Sequence, residues 1–159
     1  MTIGPGDRIP DVTVQVMGEK GPESVSSASL FAGRKVVMFG LPGAFTPTCS
    51  AAHLPGYVVK ADEFFARGVD TIICISVNDA FVMDAWGKAQ NAETILMVAD
   101  GAAALTRAMG LDVDMTERGF GVRSERYAMI VEDGVVKLLN REAPRKFEVS
   151  DADTIPAAL

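Results

Sequence analysis

The chain reads as an α/β protein built on a central mixed sheet flanked by helices. Two patterns predict it. Short apolar, β-branched runs alternate with segments of helical periodicity, which implies parallel strands joined by right-handed crossovers. Near the carboxyl end, two apolar runs flank a tight polar turn, the signature of an antiparallel hairpin. With 159 residues, the chain fits one domain spanning 1–159, long enough to bury a core without disulfide or metal staples.

The elements follow in order. Val12, Val14 and Val16 alternate with Thr13 and Gln15, the pattern of a half-buried strand. "GEKGPES" is a polar turn region. "KVVMFGL" (Lys35–Leu41) is a short continuous apolar run, as expected of a central strand. After Pro55, "GYVVKADEFFARG" carries Val58, Val59, Phe64 and Phe65 on a helical stripe that Gly68 stops. "VDTIICISV" (Val69–Val77) is a second buried strand. Asn78 and Asp79 are good helix caps, and a helix is expected through "AFVMDAWGKAQ". "ETILMVAD" supplies a third strand, and a helix from about Ala102 to Met109 ends at Gly110. "RYAMIVEDGVVKLLN" is the hairpin.

Charge and composition exclude several classes. The net charge of −6 argues against nucleic acid or an anionic membrane surface as partner, since both demand a basic footprint. No apolar run approaches the roughly 18 residues of a membrane span. The opening "MTIGPGDRIPDV" has neither a basic segment nor an apolar one, and no signal peptide is expected. Two distant cysteines do not make a disulfide framework, so a reduced, cytoplasmic setting is expected.

One stretch departs from ordinary loop chemistry. "GLPGAFTPTCS" (40–50) ends the first central strand with two prolines, two glycines and a cysteine. In α/β sheets, sites gather beyond the carboxyl ends of strands. Thr46 is a favoured N-cap and Pro47 a favoured first helical residue, so a helix is predicted to begin there. Cys49 then falls in its first turn, where free N–H groups and the helix dipole favour the thiolate, the nucleophilic form. Spacing alone leaves a second reading open, in which Cys49 packs as a small hydrophobe.

"PGAFTPTC" resembles the active-site segment of the peroxiredoxins: proline, three residues, threonine or serine, two residues, cysteine. Pro42, Thr46 and Cys49 match in place. The wider "PGAFTPTCSAAHLPGYV", together with "CISVNDAFVMDAWGK" and "RYAMIVEDGVVKLLN", resembles the type-5 branch, which includes the plant type-II enzymes. The resemblance covers nearly the whole chain. It implies a thioredoxin-like fold and a thiol-dependent peroxidase that reduces hydrogen peroxide and alkyl hydroperoxides, with no metal or organic cofactor. Cys49 would become a sulfenic acid, Thr46 would hydrogen-bond the thiolate and peroxide, and Pro42 would shield the sulfur. The family's arginine falls at Arg126; spacing alone does not choose between Arg123 and Arg126. Gly43, Phe45, Thr48, His53 and Phe120 are expected around the pocket. The family also suggests a homodimer.

The remaining candidates have simpler readings. His53, four residues after Cys49, could act as a base or half a metal site, but zinc needs two further ligands. Pro55 is expected to kink or interrupt the helix. Cys74, mid-strand, is expected to be inert, and a Cys49–Cys74 disulfide is not expected. Some type-5 relatives carry a resolving cysteine near the C-terminus; "KFEVSDADTIPAAL" has none. An outside thiol must then resolve the sulfenic acid, with glutathione or glutaredoxin ahead of thioredoxin. The competing readings are a redox sensor that relays oxidation to a protein partner, and a thiol hydrolase or metal-binding module built on Cys49 and His53.

Overall fold

The structure is a computed structural model and describes residues 2–159. Among the described residues, nine strands and four α-helices follow one another. They are β1 (Thr13–Gly18), β2 (Gly21–Ser26), α1 (Ser27–Phe31), β3 (Lys35–Leu41), α2 (Leu54–Ala66), β4 (Thr71–Ser76), α3 (Ala80–Ala89) and β5 (Leu96–Ala99). Then come α4 (Ala104–Ala108), β6 (Asp112–Met115), β7 (Gly121–Ser124), β8 (Tyr127–Glu132) and β9 (Val135–Arg141).

Seven strands form one sheet in the order β2-β1-β5-β4-β3-β8-β9, and β6 pairs β7 separately. β3, β4 and β5 run parallel, while β8 is antiparallel to β3 and β1 to β5. The mixed sheet is therefore as expected. The centre is apolar on both faces because alternate residues of β3 serve two cores. Val37, Phe39 and Leu41 pack with Tyr57, Phe64 and Trp86 of α2 and α3. Val36 and Met38 pack on the other face with Leu30, Phe31 and Leu105. Asp79 caps α3, its carboxylate accepting the Val82 N–H at 2.9 Å. The β8–β9 turn takes a left-handed pair, Asp133 at φ 48° and Gly134 at φ 80°, the geometry whose twist matches a hairpin.

Three elements differ from expectation. Part of the "GEKGPES" turn is strand β2, paired along its length with β1. It is an edge strand with exposed Glu23 and Ser24, so it lacks an apolar signal, and Pro22 is tolerated near its start. α1 is a single short turn-and-a-half whose two large apolar residues, Leu30 and Phe31, are too few to show a period. The β6–β7 ribbon is mostly polar and lies outside the main sheet.

Candidate active site

The site forms because β8 runs antiparallel to β3. Gly40, near the end of β3, pairs with Tyr127, the first residue of β8. The residue before β8, Arg126, is thereby brought beside the loop that leaves β3. A Cβ on Gly40 would lie 2.3 Å from the Tyr127 ring, so only glycine lets the two strands close at this point.

The loop is tied down from both sides. Asn78, just past β4, accepts the Ala44 N–H at 3.0 Å and the Ser76 hydroxyl at 2.7 Å. Arg123 of β7 donates from Nη1 to the Pro42 carbonyl at 3.3 Å and from Nε to the Phe120 carbonyl at 2.9 Å. Phe45 holds the left-handed conformation, φ 62°, with its ring exposed and 6.4 Å from that of Trp86. Trp86 in turn donates to the Ser50 hydroxyl at 3.0 Å.

The predicted helix start at Pro47 is present: Ser50 N–H bonds the Thr46 carbonyl at 2.9 Å, and Thr48 and Cys49 precede that first bond. The Thr46 side chain does not cap it. Its hydroxyl turns back and donates to the Gly43 carbonyl at 2.6 Å, because the left-handed Phe45 closes a tight turn there. Cys49–His53 is a π-helical turn, in which the Leu54 N–H reaches the Cys49 carbonyl five residues back. Pro55 follows at the start of α2 and lacks the N–H an α-helical register would need, so the wide turn takes up the break without ending the helix.

Cys49 and His53 are both fully buried. The Arg126 fork spans them, Nη2 to Cys49 Sγ at 3.1 Å and Nη1 to His53 Nδ1 at 2.8 Å. Arginine is a donor only, so Nδ1 must be an acceptor and the ring proton sits on Nε2. That proton is donated to the Ser150 carbonyl at 3.1 Å, which also accepts the Tyr57 hydroxyl at 2.7 Å. Burial, and next the Arg126 charge, push the His53 pKa down to about 3. The imidazole is neutral with both nitrogens engaged, which makes it an orienting group for Arg126; it has no open nitrogen for a base or a metal. Phe147 closes the arrangement, its ring 5.0 Å from His53 and 5.7 Å from the Arg126 guanidinium.

Of the other expected pocket residues, Gly43 is buried beneath Arg123, where a Cβ would lie 2.8 Å from Nη1. Phe120 is partly exposed, with the Arg118 and Arg123 guanidinium groups each 5.5 Å from its ring. Thr48 is exposed on the first turn. Cys74 is buried in mid-β4 between Phe39 and Met97, and both cysteines are free. Arg123, Asn78, Tyr57 and Ser150 also build the site. An Asn directly after a central strand was the one local signal available; the others depend on long-range pairing.

The Redoxin family's sequence model matches residues 4–155. Peroxiredoxin-2B of Arabidopsis thaliana is 47% identical, over 99% of this chain and 98% of its own length. Reduced Prx3 of Vibrio vulnificus, solved in complex with hydrogen peroxide, is 57% identical with a TM-score of 0.96 over 99% of each chain. The Plasmodium falciparum antioxidant protein, described as a 1-Cys peroxiredoxin, is 30% identical with a TM-score of 0.91 over 96% of each chain. With likeness of this extent running through both the sheet and the loop it supports, the chain belongs to the peroxiredoxins, in the type-5 and plant type-II branch, and has their thiol-dependent peroxidase and antioxidant function.

Proposed function

We propose that Cys49 is the peroxidatic nucleophile, reducing hydrogen peroxide and organic hydroperoxides, and that glutathione, directly or through glutaredoxin, recycles it. The observation that carries the reading is the Arg126 Nη2–Cys49 Sγ hydrogen bond of 3.1 Å, a fixed positive charge against the reacting atom.

The Cys49 thiolate attacks one peroxide oxygen. An S–O bond forms and the O–O bond breaks. Sulfur is oxidised to the sulfenic acid, and the departing oxygen takes a proton and leaves as water or alcohol. Arg126 faces the negative charge that grows on that oxygen and strengthens its bonds as the transition state is reached. Thr46 has committed its only donor to Gly43, so its lone pairs accept from a peroxide O–H. Pro42, with its carbonyl held by Arg123, walls the loop side.

An external thiol then attacks the sulfenic sulfur, releasing water and leaving a mixed disulfide. A second thiol frees Cys49 as the symmetric disulfide forms. The chain's other thiol, Cys74, is locked in the sheet with its pKa pushed up by burial, which favours an outside reductant. A cytoplasmic setting goes with this reading, because recycling draws on a reduced thiol pool. A homodimer is proposed through Phe45, Phe81 and Phe120, three exposed rings.

Peroxide consumption followed with glutathione, glutathione plus glutaredoxin, and thioredoxin with its reductase tests the assignment. Sustained turnover with the glutathione systems is expected. Turnover with thioredoxin alone overturns the reductant, and a single oxidation with no turnover in any system favours the redox sensor.

A further inference from the structure

Between β9 and the C-terminal turn, the chain makes a loop whose backbone converges on one carboxylate. Glu142, just past β9, accepts the Glu148 N–H at 2.9 Å on each oxygen. Its Oε2 also accepts the Val149 N–H at 2.9 Å, the Ser150 N–H at 2.8 Å and the Ser150 hydroxyl at 2.7 Å. Successive N–H groups turned on an anion form a nest, and bonds to a charged acceptor are about twice as strong as neutral ones. Glu142 is only 8% exposed. Burial raises its pKa, but the Ser150 hydroxyl and the three N–H donors outweigh that and hold it below the usual carboxylate range.

The same loop carries the groups that sit on the active-site arginine. Ser150 offers its carbonyl to His53, and Phe147 lies over both His53 and Arg126. The Glu142 N–H itself donates to the Arg126 carbonyl at 2.9 Å. Glu142 thus holds Arg126 from two directions, through its backbone and, by way of Ser150 and His53, through the guanidinium.

We propose that Glu142 is a positioning residue for peroxide reduction: its carboxylate gathers the Glu148–Ser150 backbone so that the Ser150 carbonyl fixes His53, and His53 fixes the Arg126 fork on the Cys49 sulfur. This rests on the peroxidase reading above. The hydrogen-bond chain runs from Glu142 to Ser150, to His53, to Arg126, to Sγ, and each link is a direct contact. Glu142→Gln removes the negative charge on which the Glu148–Ser150 donors converge and sets an NH2 where Oε1 accepted the Glu148 N–H, so the nest is weakened.

The test is a double-mutant cycle on the second-order rate of Cys49 oxidation by hydrogen peroxide, measured by stopped flow well below each variant's melting temperature. Glu142→Gln is expected to slow oxidation on the order of tenfold, since small misplacement of a reacting group carries losses of that size or more. In an Arg126→Ala background the same change is expected to cost less than about twofold, because a residue acting through Arg126 has nothing left to position. Ser150→Ala, which removes one side-chain bond and keeps the carbonyl, is the milder variant; its smaller loss should vanish in the same background. Equal losses with and without Arg126, or no loss from Glu142→Gln, overturn the proposal. A wild-type protein that reacts no faster than a free thiol overturns the peroxidase reading itself, whatever the variants do.

Discussion

Cys49 and Cys74 share one apolar cluster, both fully buried and both free, yet the groups that face their sulfurs differ. Cys74 hangs from the middle of β4 among apolar neighbours. Burial drives its pKa up, the nearby Cys49 adds to this, and Arg126 relieves it only in part. Cys49 stands at a helix start, with the Arg126 Nη2 donor 3.1 Å from its sulfur. On the proposed reading, burial does not decide whether a thiol reacts; what decides is whether the fold aims donors at the sulfur, and here a strand turns its thiol inward while a loop and helix start present one to a cation.

The largest test of that contrast is exchange of the two sulfurs. Cys49→Ser is expected to lower peroxide reduction below detection in a stopped-flow assay, and Cys74→Ser to keep it within about twofold. Equal losses would dissolve the distinction. Next comes the donor: Arg126→Ala should lower the rate of Cys49 oxidation by about 10²–10³-fold, the scale of losing one preorganised charge-stabilising group. Trp86, bonded to Ser50 beside Cys49, provides the fluorescence signal.

The smallest effect lies in the histidine that orients that donor. The His53 pKa falls from an ordinary 6.5 to about 3 on folding, so between those values the unfolded chain binds the proton and the folded one does not. Stability from the neutral ring is complete above about pH 6.5 and drains away as pH falls toward 3. The melting temperature of the wild type should therefore drop more steeply from pH 7 to pH 4 than that of His53→Asn. Parallel curves would mean that the ring protonates freely in the fold.

Much of this architecture was legible because burial leaves a compositional trace. β3, β4 and the β8–β9 hairpin show as apolar runs, and Thr46-Pro47 marks the helix start that carries Cys49. β2 and the β6–β7 ribbon were not legible, since solvent-facing polar strands leave no such trace. The choice between Arg123 and Arg126 depended on the Gly40–Tyr127 pairing, a register that local spacing does not encode. Both arginines in fact serve the loop, one at the Pro42 carbonyl and one at the sulfur. The role of His53 was hidden for the same reason: its Nε2 acceptor, Ser150, lies 97 residues further along the chain. The Thr46 hydroxyl escaped because a left-handed Phe45 redirected it, and sequence gives no warning of an aromatic in that conformation.

Phe45 has a wider consequence. A non-glycine residue at φ 62° costs folding energy, of order 1–3 kcal/mol, and the ring it carries, though 6.4 Å from that of Trp86, is 56% exposed. If a second copy covers the ring, as the proposed homodimer has it, mass action enters the chemistry: each subunit's loop is held by its neighbour, and specific activity should fall when the protein is diluted below the dimer's dissociation constant.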